Sequence, residues 1–119
     1  MKSVDDVARI LSGAGAAYVL IGGHAVNVFL EPRFTADIDV TIAAETATLQ
    51  RARAALLAAG FRVERKHGAA QPSGPDFVRY VDDDGTFLEL QTAKTGLQRS
   101  AIARARDHGG VRVATAADL

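Results

Sequence analysis

The chain has 119 residues, the size of one domain around one core. Its 48% hydrophobic and 24% charged residues are too apolar for a disordered chain and ordinary for a packed one. Fourteen basic side chains balance fourteen acidic ones and there is no cysteine. This excludes an overall basic field for DNA or an anionic membrane, disulfide-linked partners, thiolate zinc sites, iron–sulfur clusters and cysteine nucleophiles.

The neutral total hides an asymmetry. Residues 1–50 carry 3 basic and 6 acidic side chains, a net of −3, and residues 51–119 carry 11 and 8, a net of +3. The first residues lack a basic segment followed by an apolar one, and no stretch is apolar over the length a bilayer requires. A cytoplasmic protein without a membrane partner is expected.

Ser3 and Asp6 form a capping-box pattern, and Val4, Val7, Ile10, Leu11 and Ala14 follow at helical spacing, with Gly13 and Gly15 placed to stop the helix. Tyr18 to Ile21 reads as a short strand ending in Gly22-Gly23, and His24 to Leu30 as a short helix closed before Pro32. Ile38 to Ala43 is β-branched and alternating, a second strand that begins within Asp37-Ile38-Asp39. Residues 45–59 hold Leu49, Ala52, Leu56 and Leu57 at helical intervals, with Gly60 as the stop.

Phe61 to Lys66 reads as a strand, and Phe77 to Val81 with Thr86 to Gln91 as a hairpin around Asp83-Asp84-Gly85. The breaker-rich segment between them, with Gly68, Pro72, Gly74 and Pro75, is expected to be a surface loop. Leu97, Ala101, Ile102 and Ala105 mark a last helix ending near Gly109-Gly110, and Val111 to Val113 a final strand. The pattern predicts an α/β (α+β) fold, a mixed sheet of about five strands with helices packed on it.

The chemistry concentrates in L-I-G-G-H-A-V-N, R-F-T-A-D-I-D-V and F-L-E-L. Paired glycines at a strand end let backbone approach a ligand, and a helix starting after them aims free N–H groups at an anion such as phosphate. Strand alternation puts the Asp37 and Asp39 carboxylates on one side, where they can hold a hard divalent cation, with Glu89 on a later strand to complete the set. Crowded carboxylates repel one another unless cations neutralise them, which suits Mg²⁺, two ions of which promote phosphoryl or nucleotidyl transfer.

These motifs resemble the polymerase-β-like nucleotidyltransferase superfamily: a strand, Gly-Gly, a helix, Asp-x-Asp, then a third acid on a later strand. G-G-H-A-V followed by R-x-T-x-D-I-D looks most like the abortive-infection and toxin–antitoxin nucleotidyltransferases, and the resemblance spans residues 16–118. It implies that Gly22 and Gly23 cradle a triphosphate, with Arg33 and Thr35 on the approach to the acidic pair and Arg33 meeting phosphate; His24, by its place after Gly23 at the expected helix start, is a nucleotide-binding candidate, with a capping or packing role as the alternative. It further implies that Asp37, Asp39 and Glu89 are the catalytic, metal-holding acids, Glu89 standing where the family often has Asp. The expected activity moves a nucleoside monophosphate from an NTP to an acceptor hydroxyl, with tRNA or a cognate protein as acceptor. Residues 1–119 are expected to be a single nucleotidyltransferase domain, clipped at its end because Thr115 and Asp118 open a helix-capping pattern that Leu119 cuts short.

Other patterns are read as structural. Gly13-Ala14-Gly15 lacks the third glycine and the preceding strand of a dinucleotide fingerprint, and Asp82-Asp83-Asp84-Gly85 lacks the ligand spacing of a calcium loop. His24, His67 and His108 have no zinc spacing. Lys94, Arg99, Arg104 and Arg106 are placed on the last helix as a solvated face, with phosphate or RNA contact as the alternative. The rival to an enzyme is a module of the same fold that binds nucleotide or a partner without turnover.

Overall fold

A computed structural model describes residues 2–21, 37–67 and 77–115. The expected His24–Leu30 helix, the loop between residues 67 and 77 and the chain end after Thr115 lie outside the described residues.

The first helix, α1 (Val4–Gly13), opens on the expected capping box: Ser3 Oγ accepts from the Asp6 N–H and the Asp6 carboxylate accepts from the Ser3 N–H at 2.8 Å. That backbone hydrogen bond holds the Asp6 pKa below its ordinary value. The helix closes with Ala16 donating to Leu11 and Gly15, at φ +74°, donating to Ser12, the paired bonds of a Schellman end that requires a left-handed residue. The second helix, α2 (Thr46–Ala58), ends the same way, with Phe61 donating to Leu56 and Gly60 to Leu57. Phe61 and Leu56 are both buried, completing the apolar contact that accompanies this motif.

The strands are β1 (Tyr18–Ile21), β2 (Asp37–Ile42), β3 (Arg62–His67), β4 (Phe77–Val81), β5 (Phe87–Thr92), β6 (Arg106–His108) and β7 (Val111–Val113). They form one sheet in the order β3-β4-β5-β2-β1-β7-β6. The β2–β5 and β1–β7 pairs are parallel and the others antiparallel. The architecture is the expected mixed sheet with helices, but among the described residues it has seven strands where about five were predicted.

Part of the difference arises at the last helix. Here α3 (Gly96–Arg104) starts on a second capping box, Thr95 with Gln98, and stops at Ala105, whose ψ of 142° is extended. Arg106 to His108 then pairs as β6 with β7. Gly109 and Gly110, both at positive φ, are the two-residue turn of that hairpin and not a helix stop. Two consecutive left-handed residues give the turn whose twist matches flanking antiparallel strands, so Gly-Gly here selects a hairpin. Consequently, of the basic residues assigned to the last helix, only Arg99 and Arg104 lie on it; Lys94 precedes it and Arg106 is on β6.

Alternation sorts the sheet into two faces. Tyr18, Leu20, Ile38, Val40, Ile42, Val78, Tyr80, Leu88 and Leu90 point to one, where they meet Val7 and Leu11 of α1 and Leu49, Ala52 and Leu56 of α2. On the opposite face Val19 packs with Ala101, Ala105 and Ala114, against which Ile21 and Ile102 rest. This smaller cluster places α3 against β1 and β2. Among the described residues no helix is long and apolar enough to cross a membrane.

Candidate active site

The second face carries the candidate site. Along β2 exposure falls from Asp37, exposed, through Asp39, half-buried, to Thr41, buried. The carboxylates therefore stand at the open start of the strand and not under α3. Because β2 and β5 run parallel in the register Asp37 to Phe87 and Asp39 to Glu89, the third acid is the lateral neighbour of Asp39 on the same face. The register brings two of the three sequence-predicted acids side by side and sets the third one alternation upstream.

Glu89 is half-buried, and its pKa is raised: a hydrogen bond shared with Asp39 is the largest cause, followed by burial and the Asp39 charge, with Arg79 and Arg65 pulling the other way. Asp37 is drawn toward Arg79, whose Nη2 lies 3.6 Å from its Oδ1. The Nε of Arg79 is 3.9 Å from both Glu89 and Glu64. Its guanidinium lies over the Phe87 ring, 4.0 Å from the centroid, a cation–π distance.

Arg79 thus enters the acid cluster, and the sequence reading missed it. The available signal was the β4–β5 hairpin: its turn fixes a register in which Arg79 faces Glu89. That turn is built by Asp82, buried, whose Oδ1 accepts from the N–H groups of Asp84 at 3.0 Å and Thr86 at 2.8 Å. Burial pushes the Asp82 pKa up, but these backbone donors and the charge of Lys2 outweigh it and leave the pKa lowered. The Asp82-to-Gly85 run is a structural turn, as expected.

Among the described residues no three His, Cys, Asp or Glu side chains are grouped as a metal cage. The donor chemistry still fits a hard cation. Asp39 and Glu89 present only carboxylate oxygens, side by side, and share a proton-raising contact that a divalent ion would relieve. The nucleotide-binding candidates Gly22, Gly23, His24, Arg33 and Thr35 lie outside the described residues. Their strand is placed, however: Ile21, the residue before Gly22, pairs with Asp39 from the side opposite Glu89.

No protein-family model matches the sequence, and no curated protein matches it. Solved structures do. One described as a cytoplasmic RNA terminal U-transferase superposes with a TM-score of 0.53 at 18% identity, over 83% of this chain and 28% of that one. A protein assigned as a nucleotidyltransferase from H. pylori superposes with a TM-score of 0.51 at 21% identity, over 95% of this chain and 52% of that one. The chain therefore spans about a quarter to a half of the length of these structures. At these identities the likeness is one of fold: the chain has the nucleotidyltransferase fold of these structures.

Proposed function

We propose that the protein is a Mg²⁺-dependent nucleotidyltransferase that moves a nucleoside monophosphate from an NTP to an acceptor hydroxyl. The observation that carries this reading is the lateral pairing of Asp39 with Glu89 on parallel strands, at the open end of the sheet. The acceptor oxygen attacks the α-phosphorus, forming a P–O bond while the bond to the β,γ-diphosphate breaks and pyrophosphate leaves. The hydroxyl proton passes to a carboxylate, for which Glu89 stands on the side of Asp39 away from β1.

Asp37 and Asp39, with Glu89, would hold Mg²⁺, which supplies charge neutralisation for the phosphates. Gly22 and Gly23, following β1, would cradle the triphosphate, with His24, Arg33 and Thr35 nearby. By its motifs the protein fits a toxin–antitoxin or phage-defence nucleotidyltransferase acting in the cytoplasm.

Incubation with labelled NTPs, Mg²⁺ and RNA or protein acceptors tests the reading. Label transfer is expected, with Asp39→Ala reducing it at least about a hundredfold, as losing a preorganised charge-stabilising group does. Absence of transfer to every acceptor would refute it.

A second reading has its own observation: Arg79 already offsets part of the acid charge. A non-catalytic nucleotide- or partner-binding module would leave the site in that state. Calorimetric titration with a non-hydrolysable NTP separates the two, since the enzyme binds it in a Mg²⁺-dependent manner and the module does not.

A further inference from the structure

Two neighbouring rows cross the open face of the sheet. One reads Asp37, Phe87, Val81 over β2, β5 and β4, and the next reads Asp39, Glu89, Arg79. The Arg79 guanidinium leaves its own row and lies over the Phe87 ring, 4.0 Å from the centroid. From there it reaches across β5: Nη2 comes within 3.6 Å of Asp37 Oδ1, while Nε stands 3.9 Å from both Glu89 and Glu64. The backbones of β4 and β2 are two strand spacings apart, about 10 Å, and the ring is the floor across which the side chain spans them.

The contact is one of charge and not of hydrogen bonding. Its separations exceed the about 2.7–3.2 Å of an N–H···O bond, and Nε is buried without a hydrogen-bond partner among the described residues. Displacing the guanidinium therefore breaks no short hydrogen bond. It does remove a positive charge from beside two of the proposed metal ligands, in a partly buried setting where charges are weakly screened.

Glu89 is the pivot, with Asp39 as its neighbour on one side and Arg79 on the other. A divalent ion shared by Asp39 and Glu89 takes carboxylate oxygens as ligands, and the Glu89 oxygen nearest Arg79 is then claimed by both cations. Asp37 is likewise drawn toward β4 by Nη2. We propose that Arg79 is the resident counter-cation of the acid cluster, which a divalent ion has to displace, so that the free protein binds that ion weakly and Phe87 fixes how weakly. The inference rests on the metal-dependent nucleotidyl-transfer reading for the ion's task, and on the contacts of Arg79 for the competition.

The test is titration of the full chain with Mn²⁺, without nucleotide or acceptor, the free ion being counted by electron paramagnetic resonance. The binding that Asp39→Asn abolishes is that of the cluster. Arg79→Gln should tighten it about tenfold or more, the scale on which partners of metal ligands act. Arg65→Gln removes an equal charge two strand spacings from Glu89, about 10 Å and beyond the screening length of physiological salt, and should change it less than about threefold. Phe87→Leu keeps every charge, so an effect of net field alone predicts no change. Loss of the ring's hold on the guanidinium should tighten the ion about threefold. In EDTA Arg79→Gln should melt below wild type and saturating Mn²⁺ should close most of the gap, whereas a purely structural role lowers both melting temperatures alike.

If Arg79→Gln unfolds, Phe87→Leu decides. Unchanged or weaker ion binding in either variant, equal gains in Arg79→Gln and Arg65→Gln, or no binding at the cluster in any variant would overturn the counter-cation. Label transfer by wild type with no gain in Arg79→Gln would overturn it while upholding the enzyme. The predicted gains without label transfer would uphold the counter-cation and refute the enzyme.

Discussion

Replacing Asp82 with Ala should cost more stability than any other single change in the β4–β5 turn. The side chain is buried and accepts from two backbone N–H groups, that of Thr86 in a buried setting and that of Asp84 in a partly buried one. Alanine removes both acceptors, and an orphaned buried donor costs about 1–3 kcal/mol, so the pair amounts to about 2–4 kcal/mol with the partly exposed one discounted. For a domain of this size that corresponds to a fall of roughly 8–16 °C in Tm.

Asp82→Asn retains one oxygen in place and should lose only about 1 kcal/mol, the difference between a charge-assisted and a neutral acceptor. The pH dependence has a defined sign. Because the folded pKa of Asp82 is lowered, its contribution is present above the ordinary carboxylate range and is lost as pH falls through the folded value. The gap between wild type and Asp82→Asn should therefore narrow in acid. Urea denaturation followed by circular dichroism at neutral and acidic pH measures all of this. An Asp82→Ala loss below about 1 kcal/mol, or an Asn variant as damaged as the Ala variant, would refute the argument that the turn is held by those two bonds.

Two further outcomes are expected. Glu89 has a raised folded pKa, so its stabilising contribution exists below the ordinary carboxylate range and is lost as pH rises through the folded value. Glu89→Gln should therefore raise Tm at neutral pH in EDTA, with the advantage shrinking in acid and on adding Mg²⁺; scanning fluorimetry reads it, and a lower Tm in EDTA contradicts the assignment. Leu56→Ala, at a fully buried position of α2 that also closes the helix end with Phe61, should cost about 2–5 kcal/mol in urea denaturation.

The legible parts of the fold were those written in local chemistry. Ser3 with Asp6 and the Gly15 and Gly60 stops state helix ends in the chain itself, and they are where the sequence pattern put them. The β-branched run around Ile38 likewise announced β2. Less legible was β6: Arg106-Asp107-His108 has no apolar alternation, and only its pairing with Val111 to Val113 across two left-handed glycines makes it a strand.

The site divides along the same line. Asp37 and Asp39 were visible as a spaced pair, and Glu89 as an acid in a strand pattern. That Glu89 should neighbour Asp39 depends on the order of strands, a property of the whole sheet that no window of residues contains. Arg79 was within reach of a local argument, since it faces Glu89 across one hairpin, but only once the turn had fixed the register.

The bulge between Val63 and Arg65 on β3 has a consequence for how these molecules behave when concentrated. An outermost strand offers unpaired backbone groups to any extended chain that drifts alongside, including another copy of itself. On β3 the irregular step, together with the exposed side chains of Arg62, Glu64, Arg65 and Lys66, makes such an approach unfavourable. The opposite border, β6, is only three residues long and too short to serve as a template. Loss of charge along β3 would therefore show itself first as clumping at high protein concentration, well before the fold itself gives way.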